Sequence, residues 1–343
     1  MDIARGIAII GMFVLHAIPA QSSSPILSAG TAIFSDQRAQ ILFATLDGIS
    51  IGILTGFGST SRASNGGEIA KIGRFVERQT IAIRGLYLVT LGLFLTTLGS
   101  PIVVILDYYG IYFLLVLPFV YMKKKTILGI SLTLLIVGPY ITHLARQSIG
   151  DPSVTGNEYL PPLIERIASW TLVGQYPAII WLGYVFLGLA VYRIGILDRN
   201  SQIHILKVSL PVGLFMTAAG HGLLLNEISK QTITLFGSAG VAISIVLAAT
   251  FFADGNRIIL RKFSRTFLYP ISALGGMPIT IYFFHVIYFA FLMHYLTLNE
   301  IQSGKTFSIL LIASVIFSVI CLQFVKRGPM ELAISQLLPQ RTG

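Results

Sequence analysis

Residues Asp2 to Ala17 read DIARGIAIIGMFVLHA, a nearly continuous apolar run that carries one arginine and one histidine. There is no basic segment before this run and no Ala-x-Ala cleavage site after it, so we expect a retained helix rather than a secretory leader. Arg5 and His16 are eleven residues apart, and steps of about 100° bring both to one helix face, with Asp2 within about 40° of it. The sequence of this helix therefore predicts a stripe of polar residues on one face, which runs from Asp2 into the apolar run.

Apolar runs of this kind recur along the whole chain. The 343 residues are 54% hydrophobic and 11% charged, against about 25% charged in soluble globular proteins. Windows of about 17–25 apolar residues predict about ten membrane spans, at about 3–20, 40–58, 80–98, 101–121, 126–143, 174–194, 206–225, 233–252, 270–296 and 306–325. Polar residues 144–173 predict an outer loop that ends in a short surface helix around 164–171.

These spans predict an all-α polytopic transmembrane bundle in which residues 1–343 form a single integral membrane domain. In the second span, Gly48, Gly52 and Gly56 have the spacing that predicts close helix contact. The single cysteine, Cys321, lies in an apolar stretch, which excludes a disulfide framework and a cysteine-based metal site.

The positions of the basic residues predict the orientation of the bundle. If the N-terminus is cytoplasmic, inside segments hold all but five of the 24 lysines and arginines. The five outside are Arg38, Arg146, Arg166, Lys230 and Lys305. This bias predicts that both termini are cytoplasmic. The net charge of +10 is then mostly a topology signal, and we expect no nucleic-acid partner.

Five titratable residues lie inside the predicted spans, namely His16, Asp47, Asp107, His221 and His285. Counted at about 1.5 Å per residue from the inner helix ends, they lie about 17–22 Å deep. Each has an ordinary explanation as an interhelical hydrogen-bonding group. A charge near the bilayer centre costs about 2.5–3.5 kcal/mol, however, and such groups usually face a cavity or a partner. The two aspartates in particular favour a polar site at one depth.

Six stretches of the chain, taken in order, resemble a known group of membrane proteins. They are DIARGIAIIGMFVLHA (Asp2–Ala17), LFATLDGISIGIL (Leu42–Leu54), ILDYYGIYFLLVLPF (Ile105–Phe119), YPAIIWLGYVFLGLAVYRIGI (Tyr176–Ile196), GGMPITIYFFHVI (Gly275–Ile287) and KRGPMELAI (Lys326–Ile334). The set resembles the YeiB-like membrane proteins (domain of unknown function 418) and the related heparan-α-glucosaminide N-acetyltransferase-like proteins. The similarity covers nearly the whole chain.

This resemblance implies a transmembrane acyltransferase. Such an enzyme takes an acetyl group from cytoplasmic acetyl-CoA and delivers it to a glycan or lipid-linked acceptor at the outer side. The acyltransferase-3 branch carries an Arg, ten residues and a His in its first helix, and Arg5 and His16 match that spacing. In the heparan enzyme the catalytic histidine precedes the second span, whereas Gln21–Gln40 here contains no histidine.

Residue roles follow from this chemistry as expectations. His16 would act as general base or would carry the acetyl group transiently, and Asp47 or Asp107 would orient its imidazole. Acetyl-CoA is the expected acyl donor, no metal is expected, and Arg5 with Arg84 would hold the CoA phosphates. The expected acceptor-lining residues are His285, His221, Tyr108, Tyr109 and Tyr282.

A second class of function stays open at this point. A transporter or exporter of a small amphipathic or lipidic solute would use the same polar layer as a binding site and proton relay. A structural scaffold ranks last, because it leaves the membrane aspartates unexplained. For each class we expect a multi-pass protein of the cell membrane in contact with lipids, and the spans are compatible with a homo-oligomer.

Overall fold

A computed structural model describes residues 1–19, 24–61, 67–150, 162–222, 225–253 and 267–339. Every regular element in these ranges is helical, which confirms the all-α fold. The first ten helices are α1 Asp2–Ala17, α2 Pro25–Phe34, α3 Arg38–Ser61, α4 Gly67–Thr96, α5 Leu106–Val116, α6 Lys124–Ile149, α7 Pro162–Ala168 followed by a π-helix Ser169–Val173, α8 Ala178–Ile194, α9 Arg199–Gly222 and α10 Glu227–Ala253. The later ones are α11 Tyr269–Gly276, α12 Pro278–Leu292, α13 Leu298–Ile301, α14 Gly304–Phe324 and α15 Pro329–Leu337.

Within the described ranges, six helices are long and apolar enough to cross a membrane. They lie in α3, α4, α6, α9, α10 and α14. Two bent helix pairs raise the number to eight if each pair is one span. The chain is thus a multi-pass membrane protein, while the number of ten spans and the cytoplasmic termini stay predictions.

The predicted span 270–296 is not one helix. It breaks at Met277, and α11 and α12 meet at 84°. Pro278 has no backbone N–H to continue the helix and disfavours the helical conformation in the residue before it. Met277 accordingly adopts φ −139° and ψ 58°. Because of this break, α12 has an N-terminus of its own inside the apolar region.

At two other places the helices do not coincide with the predicted spans. In the predicted span 101–121 only Leu106–Val116 is α-helical, because Gly99 takes a φ of +64° and Pro101 follows it, so the chain enters α5 through irregular backbone. The predicted loop 144–173 begins as helix, since α6 runs on to Ile149 and ends at Gly150 with a φ of 83°. Residues 164–171, predicted to form a short surface helix, lie in α7 and the π-helix, and their surface location stays a prediction. Residues 151–161 lie outside the described ranges.

The chain divides into two compact units. The first comprises residues 1–46, 93–104 and 244–337, and the second comprises 47–92, 105–243 and 338–343. In the first unit, α1 packs against α2, α11, α12 and α14. A Cβ on Gly6 would lie 2.0 Å from the carbonyl oxygen of Ile271, and one on Gly275 would lie 1.8 Å from that of Asp2. Glycine therefore lets the backbones of α1 and α11 touch.

The second unit is built around α8, which packs against α5, α6 and the π-helix. The predicted glycine contacts of α3 are confirmed in this unit. A Cβ on Gly48 would lie 1.9 Å from the carbonyl oxygen of Val185, and one on Gly52 would lie 2.5 Å from the Tyr192 ring. The Ser131 hydroxyl of α6 donates to the Gly183 carbonyl at 2.7 Å. Small side chains thus set the closest helix spacing here.

Adjacent glycines provide a test of the α1–α11 contact. We expect Gly275→Ala to lower stability by about 1–3 kcal/mol, because the new methyl group meets backbone that cannot move aside. Gly276→Ala is the matched control, since its Cβ would meet only the Leu322 side chain, at 3.6 Å. Thermal unfolding in detergent measures both variants. Equal melting temperatures would show that the close contact is not needed.

Candidate active site

Two histidines predicted to lie at one depth in the membrane contact each other in the first unit. His16 lies in the last turn of α1 and His285 in the middle of α12. His16 Nδ1 lies 3.2 Å from His285 Nε2, which is hydrogen-bonding distance. The rings stack with an interplanar angle of 8° and centroids 5.1 Å apart. His285 is 1% exposed, so the two helices hold this contact away from solvent.

Aromatic side chains surround the histidine pair. Phe13 of α1 tilts against His285 with ring centroids 5.1 Å apart. Phe289 and Tyr282 of α12 meet the same imidazole edge to face, at 5.2 and 5.7 Å. Phe13 and Phe289 are fully buried. Rings packed in this way fix the orientation of the buried His285 imidazole, while His16 is half-buried.

The hydrogen bond between the rings limits their protonation. One nitrogen must donate and the other must accept, so at least one of the two imidazoles is neutral. When His16 Nδ1 carries the proton, its Nε2 keeps a lone pair, and His285 accepts through Nε2 and carries its own proton on Nδ1. That buried Nδ1 has no hydrogen-bond partner among the described residues. The pair therefore offers a base at one end and a donor at the other.

Glu331 of α15 holds the start of the helix that carries His285. Its Oε1 accepts hydrogen bonds from the backbone N–H of Ile279 at 2.7 Å and of Thr280 at 3.2 Å. Its Oε2 accepts from the Thr280 hydroxyl at 2.5 Å. These N–H groups have no acceptor within α12, because they lie in its first turn. A negative charge at this position also interacts favourably with the positive end of the helix dipole.

The turn before α15 fits around this carboxylate. The backbone N–H of Met330 donates to the Thr280 hydroxyl oxygen at 3.0 Å. A Cβ on Gly328 would lie 2.2 Å from Glu331 Oε2 and 2.5 Å from Thr280 Oγ1. The sequence KRGPMELAI was recognised as a motif, but its role as a cap was missed, because a cap between distant segments leaves no local pattern. The glycine and the glutamate of that motif both serve the cap.

The second unit contains a separate polar cluster around Asp107 of α5. This side chain is 1% exposed, and its Oδ2 accepts a hydrogen bond from the indole Nε1 of Trp170 at 2.8 Å. The Arg166 guanidinium lies 3.8 Å from the same oxygen. Within the part of the chain that the structure describes, Oδ1 has no partner. The carboxylate is thus held by one oxygen while the other stays available.

The π-helix at Ser169–Val173 is fixed around this carboxylate. The hydroxyls of Ser169 and Tyr108 lie 2.9 Å apart. Arg146 donates through Nε to the Val173 carbonyl and through Nη2 to the Gly174 carbonyl, each at 3.1 Å. Single π-helical turns are rare and often occur at functional sites. The side chains of one such turn here line a buried acid.

Comparison with known proteins assigns the chain to a family. The family model described as "Heparan-alpha-glucosaminide N-acetyltransferase, catalytic" matches residues 1–225. The chain belongs to this family. A search of curated proteins finds no match. The resemblance to the heparan-α-glucosaminide N-acetyltransferase-like proteins is thereby confirmed, and this family assigns the chain to the transmembrane acetyltransferases.

The family match covers α1 with His16 and the Asp107 cluster, whereas His285 and Glu331 lie beyond it. The structure thus joins a residue inside the matched region to a helix outside it. The sequence predicts that an aspartate orients His16 and that His285 lines the acceptor pocket. In the structure, the Nδ1 atom of His16 contacts His285. The roles predicted for Asp47 and Asp107 in this family member stay predictions.

The other predicted site residues lie in both units. Arg5 Nη1 forms an ion pair with Asp2 Oδ1 at 2.9 Å on the predicted polar face of α1. In the second unit, Asp47 and Arg84 are half-buried in α3 and α4. Tyr109 packs edge to face on Tyr112. His221 lies in the last turn of α9, and its side chain is outside the described residues.

The Glu331 cap can be tested by substitution. We expect Glu331→Ala to lower stability by about 1–3 kcal/mol, because two backbone N–H groups and one hydroxyl lose a charged acceptor. Thermal unfolding in detergent measures the loss. Ser335→Ala is the control in the same helix, since the Ser335 hydroxyl bonds only the Leu332 carbonyl of its own helix. A Glu331→Ala protein as stable as Ser335→Ala would remove the cap from this account.

Proposed function

We propose that this protein transfers an acetyl group from cytoplasmic acetyl-CoA to a glycan or lipid-linked acceptor at the outer side of the cell membrane, with His16 at the reacting centre. The observation that carries the proposal is the contact of His16 Nδ1 with His285 Nε2 in a member of an acetyltransferase family. Acyl transfer from a thioester needs a base or nucleophile beside the carbonyl, and histidine supplies either at neutral pH.

In the general-base route the hydrogen bond to His285 sets the tautomer of His16. With the proton on Nδ1, the Nε2 lone pair of His16 takes the proton from the acceptor hydroxyl or amine. The acceptor atom then bonds to the thioester carbonyl carbon, the C–S bond breaks, and the CoA thiolate receives the proton from His16. In the carrier route Nε2 bonds to the acetyl carbon, the C–S bond breaks and CoA leaves as the thiolate. The acceptor atom then bonds to the acetyl carbon, the bond to Nε2 breaks, and the freed Nε2 takes the acceptor's proton and passes it to the thiolate.

His285 has a defined part in both routes. With the proton of His16 on Nδ1, His285 carries its own proton on Nδ1, an atom that has no partner among the described residues. A donor of this kind can stabilise the negative oxygen that develops when the thioester carbonyl is attacked. His285 Nε2 meanwhile holds the proton-bearing Nδ1 of His16 in place. The same side chain would therefore orient the base and stabilise the transition state.

The donor would approach along the face of α1 that carries Arg5. Arg5 lies eleven residues from His16, or about 16 Å along the helix. Its guanidinium is the group proposed to bind the CoA phosphates, with Arg84 as the second candidate, and a planar guanidinium matches phosphate oxygens well. The ion pair with Asp2 at 2.9 Å orients Arg5 before the donor binds.

The Asp107 cluster of the second unit supplies chemistry that suits a polar ligand. The buried carboxylate keeps one oxygen for a hydroxyl or amine donor, and Trp170, Arg166 and Tyr108 are fixed around it. Asp47, His221, Tyr109 and Tyr282 remain candidates for lining the acceptor path. Carboxylate, indole and guanidinium groups together suit the hydroxyls and polar substituents of a sugar.

Substitution of the histidine pair tests the proposed chemistry. We expect His16→Ala to lose labelled-acetyl transfer from acetyl-CoA by about 10²–10⁴-fold, the typical contribution of a general acid–base group. His285→Ala should lower the rate and change its pH profile, because His16 loses the partner that fixes its tautomer.

His294→Ala is the control, since His294 is exposed just beyond α12. Thermal unfolding should show that all three variants are folded. Full transfer activity in folded His16→Ala would contradict the catalytic role. Uptake of an unmodified solute that depends on His16, without acetyl transfer, would instead favour the transporter class.

A further inference from the structure

The contact between His16 and His285 depends on the rotation of α12 about its own axis. Side-chain atoms lie about 5–6 Å from a helix axis, so a rotation of about 10° moves them by about 1 Å. His16 Nδ1 and His285 Nε2 lie 3.2 Å apart, which is already at the long end of the range for a hydrogen bond. A small rotation of α12 would therefore break the contact.

Hydrogen bonds at the first turn of α12 fix this rotation. The fully buried Thr280 side chain donates to Glu331 Oε2 at 2.5 Å and accepts from the Met330 backbone N–H at 3.0 Å. Because a side chain projects sideways from its helix, these two bonds to α15 oppose rotation. Glu331 Oε1 accepts from the N–H groups of Ile279 and Thr280, which point along the axis, so these bonds fix the depth of α12.

The turn that carries Glu331 is itself restricted to one conformation. Lys326 adopts a φ of +64°, in the left-handed region that residues other than glycine rarely enter. The Cys321 thiol donates to the Arg327 carbonyl at 3.3 Å. A Cβ on Gly328 would lie 2.2 Å from Glu331 Oε2. The path from α14 into α15 therefore restricts where the carboxylate can lie.

The choice of a distant cap distinguishes α12 from an ordinary capped helix. Its N-cap residue is Met277, whose thioether is a poor acceptor for a backbone N–H. A serine or aspartate at that position would satisfy the N–H groups locally, but it would not tie α12 to another helix. A carboxylate from α15 does both. The geometry of this cap thus suits a restraint on α12 and not only the needs of its first turn.

We propose that Glu331 is a positioning residue for the acetyl transfer, because it holds α12 at the rotation and depth that bring His285 Nε2 to His16 Nδ1. This inference rests on the proposed function, since it gives Glu331 a part in the chemical step. Glu331 touches no substrate and acts through His285. Its loss therefore lowers kcat and leaves the binding of acetyl-CoA unchanged.

Kinetics of the full chain in membranes test this role. Labelled-acetyl transfer from acetyl-CoA should show a kcat about 10–100-fold lower in Glu331→Ala, because a displacement of about 1 Å can cost a reaction about 10²-fold. The KM for acetyl-CoA should stay within about twofold. Glu331→Gln should recover most of the rate, since its amide oxygen can accept from the same two N–H groups.

Two further variants separate positioning from a general loss of stability. If Glu331 acts through His285, adding Glu331→Ala to His285→Ala should lower kcat by no more than about twofold, whereas independent effects would multiply. Glu300→Ala is the matched control. Its Oε2 caps α13 by accepting from the backbone N–H and the hydroxyl of Thr297 at 2.8 and 2.7 Å. We expect this variant to keep the full rate.

Magic-angle-spinning NMR of the chain labelled with ¹⁵N-histidine observes the contact without any transfer. A ¹⁵N–¹⁵N correlation that disappears in His16→Ala should be present in the unmodified protein and in Glu331→Gln, and should be lost in Glu331→Ala. Thr280→Val, which keeps the backbone N–H groups but lacks the hydroxyl, serves if Glu331→Ala does not fold.

The outcomes for Glu331 and for the proposed function are distinguishable. An unchanged correlation and kcat in folded Glu331→Ala would overturn the positioning role, as would multiplying losses in the double variant. A correlation that depends on Glu331 in a protein that transfers no acetyl group would support the restraint on α12 and contradict the proposed function.

Discussion

The hydrogen bond between His16 and His285 is the contact on which the account of the first unit depends. The two residues are 269 positions apart in sequence, and a shared hydrogen bond between imidazoles tolerates little movement of either helix. Helix packing fixes the positions of α1, which carries His16, and of α12, which carries His285. The backbones of α1 and α11 touch at Gly6 and Gly275, and a sharp break at Met277 starts α12 beside them.

That break creates a requirement of its own. A helix that begins in an apolar region exposes backbone N–H groups that neither lipid nor its own first turn can satisfy. Glu331 supplies the missing acceptors, and Gly328 leaves the room that the carboxylate needs. The C-terminal motif is therefore connected to the histidine pair through the Glu331 side chain and α12, although it is distant from His16 in sequence.

Hydropathy and charge were enough to predict an all-α membrane protein, because apolar residues dominate every long helix. They could not predict the break at Met277, since an average over a window gives the same value for a straight span and a bent one. Depth counting brought His16 and His285 to one layer, but it does not say which side chains face each other. Trp170 and Arg166 were missed as partners of Asp107 because the polar composition around them indicates a loop.

The two polar clusters share one physical pattern. In each cluster, one atom of a buried titratable group contacts a fixed partner and another atom has no hydrogen-bond partner among the described residues. The atoms without a partner are His285 Nδ1 in the first unit and Asp107 Oδ1 in the second. Open polar atoms away from water are costly unless a ligand completes them. In each unit this pattern favours a ligand that completes the hydrogen bonding of the cluster.

An experimental structure with acetyl-CoA bound would test the central claim most directly. The account predicts that the thioester carbonyl carbon lies within about 3.5 Å of His16 Nε2, the separation expected of atoms about to react, or within that distance of a position that hydrogen-bonds to Nε2, where the acceptor atom would lie. In both cases the CoA phosphates lie toward Arg5. An acetyl group bound away from the His16–His285 pair, with that pair still hydrogen-bonded, would contradict it.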